Sequence, residues 1–323
     1  MAAGEPVSTS GQAARISVVA LVGPTCTGKT ALACRLAEAL GGEIVACDSR
    51  TIYRHMDIGT AKPSPAEQAG IRHHMLDLAD PDETYTVAQY SEQAARAIAG
   101  AAGRGRLPIV VGGTGFYARA LLQGLDIPPV PPDDELRAAL NRLAESDGNP
   151  ALHARLAAID PLAASRIAPN DRFRVIRALE VSTVTGRPFS QWQRRVEPPY
   201  RTVWLGLTYG NRISLNQAIA ARFRQQMADG LLAEVSALLE RYGPCRAIMN
   251  TVNYKELVPY LAGQEDLSYA ESQCLRHTCQ LARRQLIWFR ANPAINWLAC
   301  DELTAGDIKE RALTIISGQI SGL

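Results

Sequence analysis

Residues 16–30 read ISVVALVGPTCTGKT, and this stretch decides the fold. Residues 16–22 are an unbroken apolar run rich in β-branched side chains, the pattern of a parallel strand buried on both faces. Gly23-Pro24-Thr25-Cys26-Thr27-Gly28-Lys29-Thr30 then satisfies G-x-x-x-x-G-K-[ST], and residues 30–40 carry helical apolar spacing. A glycine-bearing turn between strand and helix lets several backbone N–H groups point at one anion. The helix N-terminus adds roughly half a positive charge. Lys29 adds a full charge, and the Thr30 hydroxyl is placed to hold Mg²⁺ bridging two phosphate groups. The whole loop is expected to bind a polyphosphate, whose identity the motif leaves open.

Outward from the loop, Gly41-Gly42 stops the helix and residues 43–47 read as a second strand. An amphipathic helix is expected over 87–102 and a third strand over 107–111. Strand alternating with helix at this rhythm predicts an α/β fold, a P-loop NTPase-like parallel sheet core. Residues 126–134 (DIPPVPPDD) hold four prolines and cannot continue a helix. Residues 128–197 then read as a helical insertion domain, and 202–207 resume strand character. The core is expected to comprise 15–127 and 198–318, with helical C-terminal additions. These include a long helix near 268–291, for which Ser268 and Glu271 offer a capping box, and a last strand near 295–298.

The 323 residues carry a formal charge of only +2, so local clustering must decide whether a nucleic acid is bound. Seven cysteines without a C-x-x-C pair suit a reduced cytoplasm better than a disulfide framework, and Cys274 and Cys279 lack two further ligands at zinc spacing. Residues 1–14 are small and polar, and read as a flexible leader with no signal peptide or membrane span. A cytoplasmic monomer is expected.

Asp48 directly follows the second strand, and ligands of open α/β sheets bind off the carboxyl ends of strands. A carboxylate there can serve as a general base or metal ligand, or simply cap a turn. The third strand runs into Val110-Val111-Gly112-Gly113-Thr114-Gly115 without a carboxylate to hold Mg²⁺ and water, which weakens an ATPase reading. Residues 166–195 hold seven arginines against Asp171 and Glu180, a concentration that favours phosphate contact over a merely solvated face. His73-His74 reads as a structural pair, and Trp288 and Phe289 as helix core.

Taken in order, GPTCTGKT (from 23), DSRTIYRHMDIGTAKP (from 48), HHMLDLADPDETYTVAQY (from 73) and VGGTGFYARALLQGL (from 111) resemble successive motifs of the tRNA dimethylallyltransferase (tRNA isopentenyltransferase) family. DPLAASRIAPNDRFRVIRALEV, NRISLNQAIAARFRQQMADGL, TVNYKELVPYLAG and LARRQLIWFR continue the resemblance to about Trp297. It implies that the loop 23–30 grips dimethylallyl diphosphate, not ATP. Asp48 matches the general base for the adenine N6 amine. Thr25 matches a catalytic threonine contacting the leaving diphosphate, and Arg222 an arginine reaching it. The tRNA anticodon stem-loop is implied as partner, with contacts at Asp48, Ser49, Arg50, Thr51, Thr114, Arg137, Phe173, Arg174, Val175, Ile176, Arg177, Asn250, Thr251, Val252, Asn253, Tyr254 and Lys255. Mg²⁺ is the implied cofactor, at Thr30.

Three positions depart from the family's pattern. His55 and Asn253 stand where it has glycine, and Ala218 where arginine is common. Asn253 is expected at positive φ, the non-glycine residue best suited to it, turning Tyr254 and Lys255 toward RNA. Competing readings are an adenylate prenyltransferase, which needs neither the insertion nor the long C-terminal part, a P-loop small-molecule kinase, and a nucleotide-gated RNA-binding protein.

Overall fold

The computed structural model describes residues 15–128, 130–192 and 198–320. The leader 1–14 and Arg194 and Arg195 of the basic segment lie outside the described residues. Six strands make one parallel sheet: β1 (Ser17–Val22), β2 (Gly42–Ala46), β3 (His73–His74), β4 (Leu107–Gly112), β5 (Arg201–Thr208) and β6 (Asn296–Ala299), in the order β3-β2-β4-β1-β5-β6. The period-2 side-chain alternation of β1 explains its unbroken apolar run. Val19 and Leu21 enter one core and Val18, Ala20 and Val22 the other, all fully buried.

Helices cover both faces. α1 (Lys29–Leu40) follows the phosphate loop, and α2 (Pro65–Gln68) is a short turn closed by a Ser64–Glu67 capping box. α3 (Val87–Gly103) and α4 (Gly115–Leu122) pack on the face opposite α1, where Tyr90 and Tyr117 stack with centroids 4.1 Å apart. The buried Tyr90 hydroxyl donates to Ala46 O at 3.1 Å, satisfying a polar group that burial would otherwise penalise.

The insertion contains α5 (Asp134–Ser146), α6 (Gly148–Ile159), α7 (Pro161–Arg166) and α8 (Arg172–Thr185), followed by a 3-10 turn, Phe189–Gln191. Leu140, Leu152, Leu156, Val175 and Leu179 form a core of their own there. The remaining helices are α9 (Arg212–Ala228), α10 (Leu231–Tyr242), α11 (Arg246–Met249), α12 (Val258–Leu261), α13 (Leu267–Arg290) and α14 (Ala305–Gln319). α14 joins α1 under the sheet, whereas α9 to α13 build a helical layer whose core includes Ile52, Met56, Phe223, Leu231 and Tyr254. No helix among the described residues is long and apolar enough to cross a membrane.

Several expectations need correction. α13 is capped by Asp266, whose carboxylate accepts the Tyr269 N–H at 2.7 Å; Ser268 instead donates to that same carboxylate. Phe289 is core, but Trp288 is 38% exposed. The His73-His74 pair, by contrast, is structural as read: it forms the edge strand, with His74 Nε2 2.7 Å from Glu43 Oε2. The guanidinium of Arg104 forks onto the same carboxylate and, with His74, holds the Glu43 carboxyl down at about 2.

The largest correction concerns the basic insertion. Glu180 is fully buried, and Arg137, Arg177 and the Asp133 N–H all converge on it. Burial pushes its carboxyl up, and these donors outweigh burial to leave it below its ordinary value. Arg137 and Arg177 therefore serve the insertion's own interior. Val175 and Ile176 are core, so of residues 173–177 only Phe173 (69% exposed) and Arg174 lie fully on the surface. Removing one member of a buried charge network leaves uncompensated charge. Glu180→Ala is expected to lower the unfolding free energy by roughly 3–5 kcal/mol in chemical denaturation. A loss of about 1 kcal/mol or less, the worth of an exposed pair, would show that water already screens the cluster.

Candidate active site

The loop Gly23–Thr30 leaves β1 at the carboxyl edge of the sheet. Gly23 has φ 139°, and a Cβ there would fall 2.2 Å from Leu207 O on the neighbouring strand, so only glycine fits the exit. Cys26 (φ 65°) and Gly28 (φ 78°) curl the loop back onto α1. The Thr27 hydroxyl and Lys29 Nζ both donate to Pro24 O, at 2.9 and 2.6 Å.

Three side chains from distant parts of the chain meet this loop. Arg222 of α9 donates to the Thr25 hydroxyl at 3.3 Å. Gln285 of α13 accepts the Thr25 N–H at 2.9 Å and donates to Gly113 O at 3.0 Å, tying the loop to the end of β4. Asp48, one residue beyond Cys47 at the end of β2, accepts the Arg50 N–H on one oxygen at 2.8 Å. Its other oxygen makes no hydrogen bond among the described residues. The Ser49 N–H donates to the Thr114 hydroxyl at 3.0 Å, so the loops after β2 and β4 brace each other.

Two cavities open on this edge. The smaller, about 100 Å³, contains Lys29, Thr30 and Thr51; the larger, about 360 Å³, contains Ser49, Arg50, Thr114 and the segment 250–255 apart from Tyr254. Thr25, Asp48, Thr60, Gly113, Arg222 and Gln285 line both. Thr30 lines the smaller cavity, and its hydroxyl makes no hydrogen bond among the described residues. It offers a hard oxygen donor that suits Mg²⁺ held mainly by phosphate oxygens and water. No group of three or more His, Cys, Asp or Glu that could hold a metal alone occurs among the described residues.

The wall of the larger cavity is set by a network that motif reading does not reveal. Glu234 of α10 accepts the N–H groups of Asp57, Ile58 and Gly59 at 2.8–3.1 Å and the Tyr254 hydroxyl at 2.6 Å. Tyr254 is thus fully buried, and its side chain is removed from the expected RNA contacts. Asn253 does sit at positive φ (74°), as does His55 (64°), so both departures from glycine fall at left-handed positions. The Asn253 side chain accepts from Thr278 at 3.0 Å and reaches Gln226 at 3.4 Å, and its role is not purely conformational. Glu234 is recognisable only from the fold, because nothing in its local sequence marks it.

Burial, and then the neighbouring Arg222, lowers Lys29 to about 8. A bound anion favours the ammonium, so affinity for inorganic diphosphate is expected to fall as pH rises through that value. Binding above it should take up protons, read by calorimetry in buffers of different ionisation enthalpy. Lys29→Arg, charged throughout, should remove the uptake. Constant affinity across this range would place the ammonium outside the anion site.

Comparison with known proteins follows the same geometry. Residues 51–292 match the family model described as IPP transferase. A tRNA dimethylallyltransferase of Roseiflexus sp. (strain RS-1) is 48% identical over 302 residues, covering 93% of this chain and 98% of the relative. The tRNA isopentenylpyrophosphate transferase of Bacillus halodurans superposes with a TM-score of 0.70 at 36% identity, over 95% of this chain and 98% of that one. A eukaryotic dimethylallyltransferase, described as acting on tRNA, gives 0.77 at 25% identity, over 95% and 81%. The chain belongs to the IPP transferase family.

Proposed function

We propose that the protein transfers the dimethylallyl group of dimethylallyl diphosphate to the N6 amine of the adenosine 3′ of the anticodon in tRNA, releasing diphosphate. The observation that carries this reading is the meeting of the two cavities. Lys29 and Thr30 of the phosphate loop line the smaller. The larger, about 360 Å³, has room for a base, and Asp48, Thr25 and Arg222 line both.

The donor's diphosphate sits on the loop 23–30, with Lys29 and Arg222 opposing its charge and the Thr25 hydroxyl donating to it. The allylic C–O bond breaks with its electron pair leaving on diphosphate, a charge that preorganised donors stabilise. A Mg²⁺ held by Thr30 would add to that neutralisation. The N6 lone pair forms the C–N bond. This amine is a poor nucleophile, delocalised into the ring, and becomes strongly acidic only as the bond forms. The unengaged oxygen of Asp48 then takes its proton. The Arg50 backbone N–H fixes the other oxygen and with it the direction of the free one.

An adenine stacked in an anticodon loop must be extruded to reach this point, at a cost of a few kcal/mol. Asn250, Thr251, Val252, Asn253 and Lys255 line its route. Of residues 173–177, Phe173 and Arg174 are open to further contact. Phosphoryl transfer is disfavoured, because β4 ends at Gly112 and runs into Gly113-Thr114 without a carboxylate to hold Mg²⁺ and water.

Asp48→Ala is expected to slow single-turnover prenylation of tRNA roughly 10²–10⁴-fold, with affinity for dimethylallyl diphosphate little changed. Turnover near that of the unsubstituted protein would remove Asp48 from the role of base.

A further inference from the structure

α13 lays Leu281, Arg284 and Gln285 along the larger cavity. Trp288 continues that face, three and four residues on, the spacing at which helical side chains are neighbours. On the other side, Gly113 and Thr114 line the same cavity and Phe116 follows two residues later on α4. The two aromatic rings meet edge to face, with centroids 6.4 Å apart and planes at 87°. Neither ring lines the cavity itself, but each lies next to lining residues on its own element.

Both rings keep a large share of their surface in water, 43% for Phe116 and 38% for Trp288. Their position is nonetheless fixed. A Cβ at Gly115 would lie 2.0 Å from Trp288 Cδ1, so the indole rests on bare backbone at the first turn of α4. A basic group stands beside Trp288: Arg284, one helical turn earlier and in the cavity lining, is exposed and pairs with no carboxylate among the described residues.

We propose that Phe116 and Trp288 form a stacking platform for one of the two unpaired bases flanking the extruded adenosine. The inference rests on the RNA substrate proposed above. Extruding one base strips its neighbours of a stacking partner, and part of the extrusion cost is that lost contact. An aromatic surface next to the cavity replaces it, and does so for any base, because every base has a π-face. The nearby guanidinium of Arg284 meets a backbone phosphate beside that base. Exposed aromatic surface beside an unpaired arginine and next to the base cavity fits single-stranded RNA better than an apolar protein partner.

The test uses an anticodon stem-loop RNA and the full chain, with affinity read by fluorescence anisotropy. Trp288→Ala and Phe116→Ala are expected to weaken RNA binding roughly 5- to 150-fold, with Trp288→Phe losing much less. Affinity for dimethylallyl diphosphate should be unchanged in all three, which also reports an intact fold. An abasic site at each flanking nucleotide in turn then locates the base. At the stacked position it should weaken binding to the unsubstituted protein and erase the penalty of Trp288→Ala. Unchanged RNA affinity in both alanine variants overturns the platform. So does a penalty that survives both abasic sites, or loss of a self-associated form with RNA affinity intact. Failure of the unsubstituted protein to prenylate the stem-loop would instead overturn the proposed function.

Discussion

A site that stabilises a leaving diphosphate must be positive, yet the same reaction needs an anionic base within reach of the acceptor. Asp48 and the loop 23–30 sit side by side because β2 and β1 end on the same edge of one parallel sheet, separated only by β4. Everything else in the structure manages the balance between these charges. The Arg50 backbone N–H occupies one oxygen of Asp48, and Lys29 turns onto Pro24 O inside its own loop. Arg222 arrives from a helix nearly two hundred residues further along the chain. The anion site thus combines backbone dipoles of the loop, Lys29 at the start of α1 and Arg222 from the helical layer.

The helical layer shapes the acceptor side. Glu234 gathers three consecutive N–H groups from the segment after Met56 and the hydroxyl of Tyr254, linking two walls of the larger cavity through one carboxylate. Gln226 ties the same segment to Asn253, and Gln285 ties α13 to the phosphate loop. These bonds place donor and acceptor walls in a shared frame. Displacing reacting groups by even an ångström is costly when positioning supplies much of the rate.

The sheet is legible in the sequence because each buried strand is a short apolar run bounded by a turn, and the structure puts β1, β2, β4, β5 and β6 within a residue or two of those runs. β3 is not legible: two histidines carry no periodicity, and only pairing with β2 makes them a strand. At the site, the phosphate loop and Asp48 can be read directly, since the chemistry demands those residue types at strand ends. Tyr254 and the arginines of the insertion cannot. A contiguous motif such as TVNYK turns its side chains to opposite sides of a loop, and Tyr254 faces Glu234 while Lys255 faces the cavity. Counting charge along 166–195 likewise cannot reveal that Glu180 is buried and takes up Arg177 together with Arg137. Trp288 reads as core from its neighbours, yet its indole lies against the bare backbone of Gly115 and stays partly exposed.

The central claim is that one edge of the sheet joins an allylic diphosphate to an extruded adenine. The most direct measurement incubates the protein with Mg²⁺, dimethylallyl diphosphate and unmodified tRNA, digests the RNA, and weighs the nucleosides. Prenylated adenosine, formed in step with released diphosphate and without ATP, is the predicted result. Unmodified adenosine, with dimethylallyl diphosphate left intact, would contradict the account.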